Sequence, residues 1–134
     1  MKSLLAVLFA LLIPVAALAA DASTDATAAA KAWLALVDQG NFAQSWTDSS
    51  ALMKARKSQA DWIKAVQPIH DQLGAVVSRQ PAGVDLMKAL PGAPDGDYAI
   101  VHFNTTFAKK AASKETVTMM MDGGKWKCAG YFIQ

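Results

Sequence analysis

At Gly74 the spacing of apolar residues changes, and that change restricts the chain to folds that segregate helices from strands. Trp62, Val66, Ile69 and Leu73 before it recur at the helical interval. In residues 97–108 after it, Ala99, Val101, Phe103, Thr105 and Phe107 alternate with Tyr98, Ile100, His102, Asn104 and Thr106, as the two faces of a strand do. The first set belongs to the core, since a one-residue slip would bury His102 and Asn104 instead. Helices followed by antiparallel strands predict an α+β domain, with three N-terminal helices packed on a curved antiparallel sheet of about four strands.

The first helix is expected from a cap at Thr24 or Asp25, with Trp33, Leu36 and Val37 as its buried stripe and Gly40 as its stop. A second begins near Asn41 and carries Phe42, Trp46 and Met53, weakened by Ser45, Thr47, Ser49 and Ser50. The third starts at Ser58, whose spacing to Asp61 resembles a capping box. Pro68 predicts a kink in it, because an interior proline removes the backbone bond to residue 64, a penalty of about 3 kcal/mol in a regular helix.

Residues 75–80 read as a strand. Residues 81–97 read as a loop rich in proline and glycine, with a short strand or turn at Val84 to Lys88. Extended segments follow at 97–108, 113–122 and 125–134. Asp122-Gly123-Gly124-Lys125 joins the last two as a tight hairpin, since glycines supply positive φ at no steric cost. A two-residue loop sets Met121 against Trp126, Met119 against Cys128, Val117 against Gly130 and Glu115 against Phe132. The opposite face then carries Ile100, His102, Met120, Tyr131 and Ile133.

Upstream of the domain, Met1-Lys2, the apolar run Leu4 to Val15 and Ala17-Leu18-Ala19 have the pattern of a cleavable secretory signal. Its apolar run is interrupted by Pro14 and falls short of the roughly 20 residues that span a bilayer. Residues 1–19 are therefore expected to leave, and residues 20–134 to form a single domain in the periplasm or outside the cell with no stable membrane anchor. The whole chain holds 13 Lys and Arg and 11 Asp and Glu. Lys2 departs with the leader, so 12 basic residues remain against 11 acidic, a balance that argues against a nucleic-acid partner. One cysteine, Cys128, forms no intramolecular disulfide, so the fold rests on packing.

A wider set of residues carries a family resemblance. Ala32-Trp33-Leu34, Asp38-Gln39-Gly40-Asn41-Phe42, Ser45-Trp46, Trp62, Leu73-Gly74 with Ser78-Arg79, Gly96-Asp97-Tyr98, Phe103, Phe107-Ala108-Lys109-Lys110, Glu115-Thr116-Val117-Thr118 and Trp126 with Gly130-Tyr131-Phe132-Ile133 resemble the bacterial domain-of-unknown-function 4019 family. The resemblance covers nearly the whole expected mature chain and brings no established activity. His70 departs from the family pattern, which favours Arg there. In organisation the family is similar to the cystatin-like, nuclear-transport-factor-two-like cone, which implies a curved sheet wrapped around helices and a cavity. That cone hosts enzymes and bare binding modules alike, so it does not choose a function.

Glu115 is the only glutamate in the chain, and the inferred register puts it on the core face. A carboxylate at an apolar cavity mouth can serve as a general acid or base. It can equally pair with Arg79, Lys114 or a backbone amide, and structural ion pairs of that kind perturb acids as readily as active sites do. Arg79 suits an anionic ligand or a local ion pair. With Tyr98 and Tyr131 as polar helpers, Arg79 and Glu115 form the candidate ligand-binding set. Ile100, His102, Met120 and Ile133 form the candidate interface.

His70 and His102 fall on different elements with no matched nucleophile, and no serine sits in a nucleophile elbow. Met119, Met120, Met121 and Cys128 suggest copper(I) chemistry. Met119 and Met121 nevertheless continue the apolar alternation from Val117, so the reading is core packing with no metal and no cofactor. The expectation is a noncatalytic small-ligand-binding or protein-interaction module, whose partner is a second copy, another exported protein or a small ligand. The alternative is a small cavity enzyme of isomerase or lyase type, with Glu115 as proton shuttle.

Overall fold

The computed structural model describes residue 12 and residues 14–134. Most of the expected leader lies outside the described residues, and the last part of it begins the first helix. No described helix is long and apolar enough to cross a membrane.

Helix α1 (Val15–Asp38) is long because its sequence is alanine-rich and contains neither glycine nor proline. It starts at Val15 rather than at a Thr24 or Asp25 cap, and both of those residues are exposed within it. Its buried stripe is Ala26, Ala30, Trp33, Leu34 and Val37. Leu34 lies one turn after Ala30 and takes the place expected for Leu36, which is only half-buried.

Among the described residues four helices form rather than three, because the expected second helix is cut in two. Helix α2 (Phe42–Thr47) ends before Ser49 and Ser50, and α3 (Ala51–Arg56) restarts after them. Ser50 causes the restart: its Oγ accepts the Met53 N–H at 3.2 Å while its own N–H donates to the Cys128 carbonyl at 2.9 Å. The Ala51 N–H donates to Asp122 Oδ2 at 2.8 Å, which ties the last hairpin to the start of α3. Helix α4 (Gln59–Leu73) is capped by Ser58, whose Oγ accepts from the Asp61 N–H at 3.2 Å. The helix continues past Pro68 to Leu73. Lys64, whose carbonyl loses its donor there, is exposed, so water can take that bond. Gly74 stops it at φ +72°.

Strands β1 (Val76–Met87), β2 (Tyr98–Phe107), β3 (Lys110–Asp122) and β4 (Lys125–Ile133) form one antiparallel sheet in the order β1-β2-β3-β4. The helices cover one face of it, so the α+β class stands. β1 runs straight through a segment expected to be mostly loop. Pro81 is tolerated because β1 is an edge strand, and the register shift between Pro81 and Gly83 absorbs the irregularity with Gly83 at φ +126°. β2 alternates as expected: Ala99, Val101 and Phe103 are fully buried, and they pack with Val117, Met119, Cys128 and Leu34.

The last hairpin departs from the expected register halfway along. Asp122 faces Lys125, Met121 faces Trp126 and Met119 faces Cys128, but a bulge at Ala129 then places Thr118 against Gly130 and Val117 against Tyr131. Glu115 consequently faces Ile133, not Phe132. One extra residue reverses the facing of everything after it, so Tyr131 and Ile133 turn toward the helices and Phe132 turns outward, 58% exposed. Deleting Ala129 should restore plain alternation and expel Tyr131 from the interior. We expect its urea midpoint to fall well below that of Phe132→Ser, which should stay within about 0.5 kcal/mol of wild type as a surface change. Equal midpoints for the two variants would show that the bulge does not set the facing.

Candidate functional site

The bulge and the start of β1 together build a polar cluster inside the apolar layer. Arg79 on β1 faces Thr105 on β2, Glu115 lies on β3, and Tyr131 enters from β4. Asp38 closes the cluster from the last residue of α1. The Arg79 guanidinium grips two carboxylates at once. Its Nη1 and Nη2 donate to Asp38 Oδ2 and Oδ1 at 2.7 and 3.0 Å. Its Nε and Nη2 donate to Glu115 Oε1 and Oε2 at 2.7 and 3.3 Å. Planar, forked donor geometry makes arginine, not lysine, the residue that fits here.

Glu115 is fully buried and receives two further hydrogen bonds, from the Thr105 hydroxyl to Oε1 and from the Tyr131 hydroxyl to Oε2. Burial works against the charge on Arg79, but the hydrogen bonds and charges of Asp38 and Glu115 outweigh it and hold the guanidinium pKa above its ordinary value. Burial and the neighbouring Glu115 charge raise the Tyr131 phenol well above its usual range, so it remains a donor. With four donors on its two oxygens, the Glu115 carboxylate has no free lone pair directed at a substrate proton. The arrangement is built to hold a buried charge in place, and it gives no support to Glu115 as a proton shuttle.

A second polar chain lies beside the first. Trp33 Nε1 donates to the Ser45 carbonyl at 2.9 Å and to Ser49 Oγ at 3.1 Å, and Trp62 Nε1 donates to Ser45 Oγ at 2.9 Å. The Trp33 ring meets Trp62 at 5.7 Å and the edge of Tyr131 at 5.4 Å. Tyr131 thus joins the ionic cluster to the aromatic core. His70 lines the cleft next to it, with Nε2 at 3.2 Å from the Asp38 carbonyl and its ring edge-on to Phe42.

Of the residues singled out in the sequence, Arg79, Glu115 and Tyr131 come together, and Tyr98 does not. Tyr98 lies at the opposite end of β2, where its hydroxyl donates to the Pro94 carbonyl at 2.5 Å. Ile100, His102 and Met120 share the outer sheet face. Ile133 does not join them, because the bulge turns it inward and puts Phe132 there instead. His102 Nε2 lies 3.0 Å from Asp85 Oδ2, and its Nδ1 lies 3.4 Å from Thr116 Oγ1. Met119 and Cys128 are buried in the core, where desolvation raises the Cys128 thiol to about 12.

Asp38 and Thr105 were not marked as site residues. Asp38 carried a usable signal: an acid in the last turn of a helix opposes the helix dipole and implies a cationic partner. Nothing local marks Thr105, whose role arises only from its place between β1 and β3.

The space beside this cluster is small. Val66, Ile69, His70 and Leu73 of α4 and Phe107, Tyr131 and Ile133 of the sheet enclose about 20 Å³, room for roughly one water. Among the described residues no group of three or more His, Cys, Asp or Glu is placed to hold a metal ion.

Replacing Arg79 by Met should destabilise the fold by about 3 kcal/mol in urea titration, because it strands a buried carboxylate. The double change Arg79→Met with Glu115→Met should recover part of that loss; a double variant weaker than the single would refute the account. The raised Tyr131 pKa sets a sign for pH dependence, since the folded state holds the phenol proton more tightly than the unfolded chain. Its contribution is complete below the unfolded value of about 10 and declines as pH rises above it. Tyr131→Phe should therefore flatten the alkaline fall in thermal stability, and an unchanged slope would remove Tyr131 as its source.

No curated protein matches the chain. Residues 29–131 match the family described as "Protein of unknown function (DUF4019)", a span that takes in all four helices at least in part and nearly the whole sheet. The chain belongs to this domain-of-unknown-function 4019 family.

Proposed function

We propose that this chain is an exported, noncatalytic interaction module that pairs with a second copy of itself through the outer face of its sheet. Export rests on the leader pattern of residues 1–19. The observation that carries the interaction reading is Phe132, 58% exposed on the outer face where the Ala129 bulge has placed it. Ile100 and Met120 share that face, and Thr116, Thr118 and Gly130 separate them with small or neutral groups. Asp85, Lys114 and Lys127 stand toward the strand ends and edges. Apolar Ile100, Met120 and Phe132 interspersed with His102, the threonines and few charges give a mixed surface of the kind that closes on a two-fold axis.

The filled interior favours a surface role over an enclosed ligand. A space of about 20 Å³ compares poorly with the roughly 300–1,000 Å³ of small-molecule pockets. The Glu115 oxygens, all engaged, favour a noncatalytic role.

Sedimentation of the exported protein at rising concentration should show a monomer–dimer equilibrium. Met120→Lys with Phe132→Lys should leave a monomer with an unchanged circular dichroism spectrum. A wild-type protein that stays monomeric throughout would overturn this reading.

A further inference from the structure

We propose that the groove between α4 and β4 binds a single-chain amphiphile with an anionic head, a fatty-acid-like carboxylate, with its head at Lys57 and its tail running along α4 toward Leu73 and Ile133. This site shares Phe132 of the edge strand β4 with the outer sheet face, but its argument does not rest on self-association.

The groove offers about 410 Å³, within the range of small-molecule sites. Its walls are apolar. Ile69 is 45% exposed and Phe132 58%, and Trp62, Leu73 and Ile133 complete the lining. Ordinary surface helices turn such residues inward, yet Ile69 stands open on the rim. From Trp62 to Leu73 α4 extends about 16 Å, the reach of an extended chain of roughly a dozen carbons. The groove shares Val66, Ile69, Leu73, Tyr131 and Ile133 with the lining of the small interior cleft.

Charge decides the head. Lys57 and Lys110 both line the groove and no carboxylate does. Neither lysine has an acidic partner within 4.0 Å among the described residues. Two unpaired cations beside an apolar trough complement an anion and repel a cation. Lys110 stands toward the Leu73 end of the groove, opposite Phe107 and next to Lys109, whose N–H donates to the Leu73 carbonyl, so Lys57 is the lining cation at the other end. The head is left to Lys57, which precedes α4. Lys110 lays its aliphatic stem along the tail and keeps its ammonium in water.

The test titrates sodium dodecanoate, below its micelle concentration, into the purified protein and follows tryptophan fluorescence and binding heat. One saturable site is expected, and dodecyltrimethylammonium should give none. Lys57→Glu should weaken dodecanoate at least tenfold. Lys57→Arg should retain it, and Lys127→Glu, which makes the same change in net charge on the outer face, should leave it unaltered. Ile69→Asp should abolish the site while circular dichroism and sedimentation stay as in wild type. Equal binding of the cationic amphiphile, equal losses in Lys57→Glu and Lys127→Glu, or no dodecanoate binding at all would each overturn the proposal.

Discussion

The Arg79 guanidinium holds the end of α1 to β1 and β3, and through Glu115 it reaches Tyr131 on β4. Four elements distant in sequence are therefore tied together through one cluster. Two carboxylates and one guanidinium withdrawn from water cost several kcal/mol each unless their hydrogen bonds are made. Here Asp38 takes two donors and Glu115 four. Such a cluster tolerates little error. A slip of one residue in β1 or β4 would remove Arg79 or Tyr131 and leave a buried charge uncompensated, so the cluster fixes register as well as joining layers.

The Ala129 bulge follows from the same demand. Two aromatic residues, Tyr131 and Phe132, are adjacent, and only one can face the helices. Plain alternation would bury Phe132 and strand Glu115 without its phenol donor. The bulge buries Tyr131, which satisfies Glu115 and packs edge-on against Trp33, at the cost of exposing Phe132. An exposed phenylalanine on the sheet is thus a consequence of satisfying a buried acid, and it supplies the apolar edge of the surface proposed for self-association. Packing also sends function outward: with the interior nearly full, recognition falls to the outer sheet face and to the α4–β4 groove.

The serine-rich stretch 45–50 shows how a weak helix former becomes structural. Ser45 and Ser49 direct their hydroxyls to the indole N–H groups of Trp62 and Trp33, and Ser50 caps α3. Without the Ser45 hydroxyl the buried Trp62 indole would hold an unpaired donor, a loss of about 1–3 kcal/mol, while Trp33 keeps the Ser45 carbonyl as a second acceptor. The chain gives up helix continuity between Thr47 and Ala51 to make these bonds.

The helical period around α4, the alternation in β2 and the glycine turn at Gly123-Gly124 are local signals, and they determined the α+β class, the β2 faces and the first half of the last hairpin. The pairing of Arg79 with Glu115 was one of several options that the sequence left open, beside Lys114 or a backbone amide for Glu115 and a helix C-terminus for Arg79. The strand character of Val76 to Met87 was not legible: proline and glycine read as loop residues unless the strand is known to be an edge, which is a property of the whole sheet. The same holds for the inward turn of Tyr131, for Thr105 and for the split between α2 and α3. Each depends on which residue across the layer must be satisfied, a contact between segments 10 or more residues apart that period and propensity do not encode. Local chemistry therefore set the elements, and the pairing of buried polar groups in three dimensions decided their register and facing.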